Sequence, residues 1–362
     1  MDTTPQPTPV THPFQFNGRA GEYFGIWIVN LLLTIVTLGI YSAWAKVRHQ
    51  RYFYGNTVLD GHNFEYHARP INILIGRIIV IIALVIYQAL AFISPALAGI
   101  LILIYLGFVP WLFNRSIRFN ARVTSYRNLR FNFEPSYWKA FLVFLVMPMV
   151  AVFTAGVLAP VASRMHNAYI GNRLRYGNSS FKTDPNLGDL YANWGMTILV
   201  MFLGFIVIGI ISVAVALLSG IDFSGIGTAF ESDDAVPTGF AFSFLLFGVL
   251  IYTAPVLAFI FYAAGVRNIA FNSTTLNENR HRLHSSLSRR RYLWILLSNL
   301  VVILFTLGLM RPWAAVRTWR YFADQTQLKS LEPLDTFVGD NIQEGSAAAA
   351  EFTAMEGIEF GL

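Results

Sequence analysis

The chain contains no cysteine. That excludes disulfides, thiolate nucleophiles and Cys-ligated metal or iron–sulfur centres in one step. Charge is scarce as well: 13% of the 362 residues are Asp, Glu, Lys or Arg, about half the share of an ordinary soluble domain. No Walker loop, dinucleotide fingerprint or nucleophile motif occurs. The chain is therefore expected not to be an enzyme, with no catalytic residue and no cofactor. Its apolar segments carry no run of carboxylates, which argues against a proton- or sodium-coupled pump. The opening stretch MDTTPQPTPVTHP lacks a basic n-region and an apolar h-region. No cleavable signal peptide is expected there, and the Thr/Pro composition predicts a disordered tail over residues 1–13.

What the chain has instead is apolar length. Hydrophobic residues make up 55% of it, and the mean hydropathy is +0.52. Apolar segments lie near 23–45, 71–93, 96–113, 138–161, 194–218, 240–264 and 292–310, long enough to be membrane segments. The net charge is +6 and the pI about 9.5. The basic residues sit beside these runs, so anionic lipid headgroups and the positive-inside rule explain them better than nucleic acid does. The expected partners are membrane lipids, with a small solute as a further candidate. The oligomeric state is not read from the sequence.

One stretch is written twice. Asn30–Phe53, NLLLTIVTLGIYSAWAKVRHQRYF, aligns without a gap on Asn299–Phe322, NLVVILFTLGLMRPWAAVRTWRYF, with half the positions identical. A shorter third copy runs from Phe131-Asn132-Phe133 through Tyr137-Trp138 to Tyr169. The plan is modules at 14–66, 129–181 and 283–328, separated by helix pairs at 71–113 and 194–264. An acidic, largely disordered tail is expected over 329–362.

Loop charge restricts topology. Loops 46–70, 114–137, 162–193 and 265–291 are all basic, whereas 219–239 has only acidic charge. Seven simple spans would place a strongly basic loop outside. The pattern favours segments 1, 4 and 7 entering and leaving on the cytoplasmic side, with segments 2, 3, 5 and 6 spanning. A full seven-span bundle is the rival. Asp60-Gly61 between Thr57–Leu59 and His62–Tyr66, and Gly177-Asn178 further on, predict short hairpins against the inner membrane face, in position to pair with one another. The fold class expected is an all-α integral membrane protein: a multi-helix bundle built from internal repeats, with short cytoplasmic β-hairpins.

Several motifs occur in order: Thr37-Leu38-Gly39-Ile40-Tyr41 through Trp44 to Arg51-Tyr52; Asn56-Thr57 with Asp60-Gly61 and Phe64; Asn128-Leu129-Arg130-Phe131; and Thr306-Leu307-Gly308 through Pro312-Trp313-Ala314. Over roughly 14–325 they resemble the YjgN-like family of bacterial inner-membrane proteins, a domain of unknown function. The resemblance implies a multi-pass protein of the bacterial inner membrane. It carries over no activity and no catalytic residue.

The candidate sites are modest. Asn30 and Asn299 occupy equivalent repeat positions within apolar runs; each bonds a neighbouring helix or lines a polar path. Arg77 is within snorkelling reach of the headgroups, and Gln88 sits deeper in the same segment. These four are the candidates for a substrate path. Arg48, Arg51, Arg317 and Arg320, with Trp44 and Trp313, form a basic, aromatic rim suited to lipid headgroups. His62, Glu65 and His67 are poorly spaced for a metal, and His281 and His284 sit among arginines that repel a cation, so no metal site is expected. Function then divides between a transporter, channel or permease for a small solute and a non-catalytic scaffold or anionic-lipid-interacting protein.

Overall fold

The computed structural model describes residues 9–218 and 238–339. Its strands are β1 (Val10–Phe16), β2 (Thr57–Leu59), β3 (His62–Tyr66), β4 (Thr124–Tyr126), β5 (Leu129–Phe133), β6 (Leu174–Tyr176), β7 (Ser179–Thr183), β8 (Thr274–Leu276), β9 (His281–Ser285) and β10 (Thr326–Ser330). They close into one antiparallel barrel in the order β1-β10-β9-β8-β7-β6-β5-β4-β3-β2. This corrects the all-α expectation. The hairpins do not lie separately on the membrane; they pair edge to edge until no edge is left. Closure is what makes strands of three to seven residues stable, because an isolated short hairpin is marginal and an open edge invites foreign pairing.

Helical hairpins rise from the same end of the barrel, one between each pair of successive strand hairpins. α1 (Ala20–Val36) and α2 (Ser42–Gly55) form the first, α3 (Pro70–Ile93) and α4 (Pro95–Arg122) the second. α5 (Tyr137–Phe153, with a π turn at Leu142–Val146) and α6 (Ala159–Gly171) form the third. α7 (Leu187–Leu218) and α8 (Thr238–Asn272) form the fourth, α9 (Arg289–Phe305) and α10 (Arg311–Asp324) the fifth. Neighbouring hairpins touch in sequence around the ring, and α10 returns to α1.

The hairpins are of two heights. Among the described residues four helices are long and apolar enough to cross a membrane: Pro70–Ile93, Pro95–Arg122, Leu187–Val215 and Ile251–Asn272. At 1.5 Å per residue the 24 residues of α3 reach about 36 Å, beyond the roughly 30 Å hydrocarbon core. None of its side chains is buried within the protein, so lipid must cover them. α1, α5 and α9 stop at 17 residues, about 25 Å, and their partner helices turn back to the barrel. A seven-span bundle would split the strand hairpins between two sides, which one closed barrel forbids. The basic loops therefore share one side, and the positive-inside rule makes it the cytoplasm.

One turn recurs in the short hairpins. Leu38 and Gly39 have φ of 49° and 92°, Ala155 and Gly156 48° and 84°, and Leu307 and Gly308 49° and 90°. Gly39 N bonds Thr34 O at 2.8 Å, Gly156 N bonds Ala151 O at 2.7 Å, and Gly308 N bonds Ile303 O at 2.8 Å. The preceding threonine completes it: Thr37 Oγ1 donates to Leu33 O and accepts from Tyr41 N, as Thr306 Oγ1 does with Val302 O and Met310 N. These bonds satisfy helix-end carbonyls where water is scarce.

At the ends, β1 takes in Val10–Pro13 and β10 takes in Lys329 and Ser330, stretches that composition assigns to tails. Residues 334–339 are helical and close the far mouth of the barrel. The rest of both predicted tails, and the acidic loop at 219–237, lie outside the described residues.

Candidate functional site: the barrel cavity

Strand alternation sends one side chain from each strand into a single belt. Cross-strand partners are Phe14 with Leu59, Phe64 with Tyr126, Phe131 with Tyr176, and Phe181 with Leu276; Leu283 faces Leu328. The buried members Leu59, Leu276 and Leu328 each contribute about 1.5–3 kcal/mol, the partly buried phenylalanines less. The belt does not fill the barrel. It lines a cavity of about 500 Å³ to which every strand contributes, within the range of small-molecule sites.

The cavity has two unlike ends. At the mouth away from the membrane, Leu334, Phe337 and Val338 pack as a plug. The plug segment is latched outside by an ion pair between Arg127 and Asp335, which holds the Asp335 carboxyl below its usual range. Beneath it His281 is fully buried, with Nδ1 at 2.8 Å from Ser330 Oγ and Nε2 at 3.1 Å from Glu332. At the membrane end the walls are helix termini: Tyr54 of α2, Arg267 and Phe271 of α8, and Trp319 and Phe322 of α10.

The tyrosines of the belt do not make it polar. Tyr126 donates to Leu59 O at 2.8 Å and Tyr176 to Tyr126 O at 3.0 Å. Burial pushes the Tyr126 hydroxyl up to about 12 and raises Tyr176 as well. Both stay neutral, with their O–H groups committed to backbone.

The residues proposed for a substrate path do not converge. Asn299 Oδ1 accepts from Arg317 Nη1 at 3.0 Å, and its amide donates to Ala314 O and Thr318 Oγ1. Asn30 Oδ1 accepts from Arg48 at 3.5 Å. Each Asn–Arg pair ties the two arms of one short hairpin together. The middle hairpin has Met147 and Met165 at the corresponding positions, so a hairpin of this kind also forms with an apolar pair there. Arg77 reaches Ser42 of the neighbouring hairpin, and Gln88 is exposed far along α3.

The rim arginines also have protein partners. Arg51 donates to the carbonyls of Tyr66 and Ala68, Arg320 to Gly18 O at 2.8 Å, and Arg317 to Ser298 Oγ at 2.7 Å. Trp44 stacks on Tyr41, and Trp313 lies under Arg317 with its ring 5.0 Å away. Trp313, Arg317 and Arg320 share an open cleft of about 480 Å³ between α9 and α10. Among the described residues no group of three metal-ligating side chains occurs. His67 Nε2 contacts both Ser125 Oγ and Glu65 Oε2; a catalytic triad needs those contacts on opposite ring nitrogens.

Sequence reasoning missed the cavity and Arg267. The available signal was the regular recurrence of a Leu or aromatic at the same place in each hairpin, as in Leu59, Tyr126, Tyr176 and Leu276.

A family model described as a bacterial protein of unknown function, DUF898, matches residues 11–355. The chain belongs to this family. It is 25% identical over 351 residues to the inner membrane protein YjgN of Salmonella typhimurium, covering 88% of each chain. To YjgN of Escherichia coli O157:H7 it is 30% identical over 159 residues, 44% of this chain and 40% of that one. No solved structure matches. With its apolar helices the chain is a multi-pass protein of the bacterial inner membrane.

Proposed function

We propose that this family member is a carrier of a small, lipid-like solute, which it takes up from the membrane into the barrel. The observation that carries this reading is the apolar cavity enclosed by all the strands at the foot of the membrane helices. A polar solute would need convergent hydrogen-bonding groups there, and the belt offers almost none. The Asn30 and Asn299 amides, the natural components of a polar path, are engaged in holding their own hairpins.

A second reading, a protein that engages anionic lipid at its surface, draws on a separate feature. Arg115, Arg118 and Arg122 of α4 line a cleft of about 470 Å³ with Trp111 and Tyr137 at the membrane boundary. Arg118 Nε is buried there with no hydrogen-bond partner. The exposed rim residues Arg48 and Arg51 suit the same role. The two readings are compatible, since a carrier must hold the bilayer surface.

The test is transfer of a fluorescent single-chain amphiphile from phosphatidylcholine proteoliposomes to acceptor vesicles. Filling the cavity with Leu276→Trp and Leu328→Phe is expected to abolish protein-dependent transfer without lowering the melting temperature below the assay range. Undiminished transfer by the folded, filled variant contradicts the reading. Flux of a polar solute that Asn30→Leu abolishes in a folded protein would favour the polar path instead.

A further inference from the structure

Arg267 alone is charged among the described residues lining the cavity. It lies near the C-terminal end of α8, where the helix enters the barrel. Its Nη1 donates to Ser285 Oγ at 2.5 Å and its Nη2 to Thr326 Oγ1 at 2.8 Å. The rings of Phe271 and Phe322 flank the guanidinium at 4.3 and 5.0 Å.

The two hydroxyls are fixed in turn. Ser285 Oγ donates its proton to Asn268 Oδ1 at 2.6 Å, and Thr326 Oγ1 donates to Phe322 O at 2.6 Å. Each hydroxyl has one proton, so each can present only lone pairs to Arg267. The guanidinium is thus held in one orientation before any ligand arrives. Two of its five N–H groups are used in these bonds. Among the described residues no carboxylate lies within ion-pair distance of it. A cation facing apolar walls is costly unless an anion joins it, and a planar fork with free donors suits carboxylate or phosphate.

We propose that Arg267 is the headgroup site of the barrel cavity and that the ligand is an amphiphile with an acidic head, carboxylate or phosphate. This rests on the carrier reading and adds to it the sign of the head and the direction of the tail. The head sits at the membrane end, between β9 and β10, and the apolar chain runs along the belt toward Phe337.

The experiment uses the full chain in phosphatidylcholine nanodiscs at about pH 8, far above the ordinary carboxyl pKa. A long-chain fatty acid carrying a photoreactive group at its tail is compared with the alcohol of the same chain, and cross-links are mapped by peptide mass spectrometry. Cross-links to belt residues such as Tyr176 and Leu276 are expected for the acid, about tenfold or more above the alcohol. Arg267→Gln should remove that preference and Arg267→Lys should keep part of it. A single-chain phosphate ester should compete with the acid; inorganic phosphate competing as well assigns the preference to the head alone. Equal labelling of the belt by acid and alcohol in the native protein overturns the Arg267 assignment and leaves the carrier reading standing. No belt labelling by either probe overturns both. The native comparison needs no variant, so misfolding of Arg267→Gln does not blunt the test.

Discussion

The hydroxyl of Tyr321 holds both backbone polar groups of Ser288, accepting from its N–H at 2.9 Å and donating to its carbonyl at 3.1 Å. Ser288 is the N-cap of α9, so one side chain from the returning helix closes the start of the outgoing one. Tyr52 does the same for Arg19 at 2.7 and 2.9 Å; Tyr169 accepts from the Ser136 N–H at 3.2 Å and gives its own proton to Asn114 Oδ1 at 2.5 Å. The three short hairpins share the N–H-accepting half of this clasp because their helices have matching lengths and the barrel fixes their feet.

Removing the clasp leaves an unpaired helix-start N–H. Tyr321→Phe and Tyr169→Phe are buried sites and should each cost about 1–3 kcal/mol. Tyr52→Phe, nearer solvent, should cost less. Thermal unfolding of the purified protein in detergent checks the order.

Part of this was legible in the sequence. The copied stretch, with Thr37-Leu38-Gly39 matching Thr306-Leu307-Gly308, marks two hairpins of one kind, and loop charge places their feet on one side. Asp60-Gly61 announces the β2–β3 hairpin. The barrel was not legible, because its pairings join residues as distant as Thr11 and Lys329 or Phe181 and Leu276. Strands of three residues carry too little alternation to reveal a register. The middle hairpin hid its turn as Thr154-Ala155-Gly156 and replaced the Asn–Arg pair with methionines. Arg267 read as one more basic residue in a basic loop, since nothing local shows that its helix ends inside a barrel.

The positive-φ turns predict a graded effect. A side chain at Gly308 or Gly39 meets no atom within 4 Å, so Ala there should cost only the left-handed backbone penalty, about 1–2 kcal/mol. At Gly156 a Cβ would also come within 2.7 Å of the Trp194 ring. Gly156→Ala should therefore be the most damaging of the three in a melting series.

His281 gives the barrel mouth a pH dependence. Burial lowers its pKa, opposed by Glu332 and assisted by Arg280 and His12. The unfolded state binds a proton first, so stability is full above about pH 6.5 and falls as pH drops below it toward the lowered folded value. Hydrogen-exchange protection factors at residues 326–338, corrected for the intrinsic pH dependence of exchange, should fall over that interval. His281→Asn should flatten the response; an unchanged slope would show that another group controls it.

Topology can be read by single cysteines, since the native chain has none. Cysteines at Ser180 and Ser286, both exposed on the barrel side, should label from the cytoplasm. One at Ser94, in the turn between α3 and α4, should label from the opposite side. Labelling of Ser180 and Ser286 from different sides is incompatible with a closed barrel.

The cysteine-free background also permits the most direct test of the cavity. Leu283 lies in the belt, and Ser286 lies just outside the barrel wall. With Leu283→Cys and Ser286→Cys in separate proteins, the rate of modification by a small thiol reagent is measured with and without a long-chain fatty acid. The account predicts that the amphiphile slows modification at position 283 and leaves position 286 unchanged. Equal rates with and without it at position 283 would contradict the claim that the barrel takes a lipid-like molecule inside.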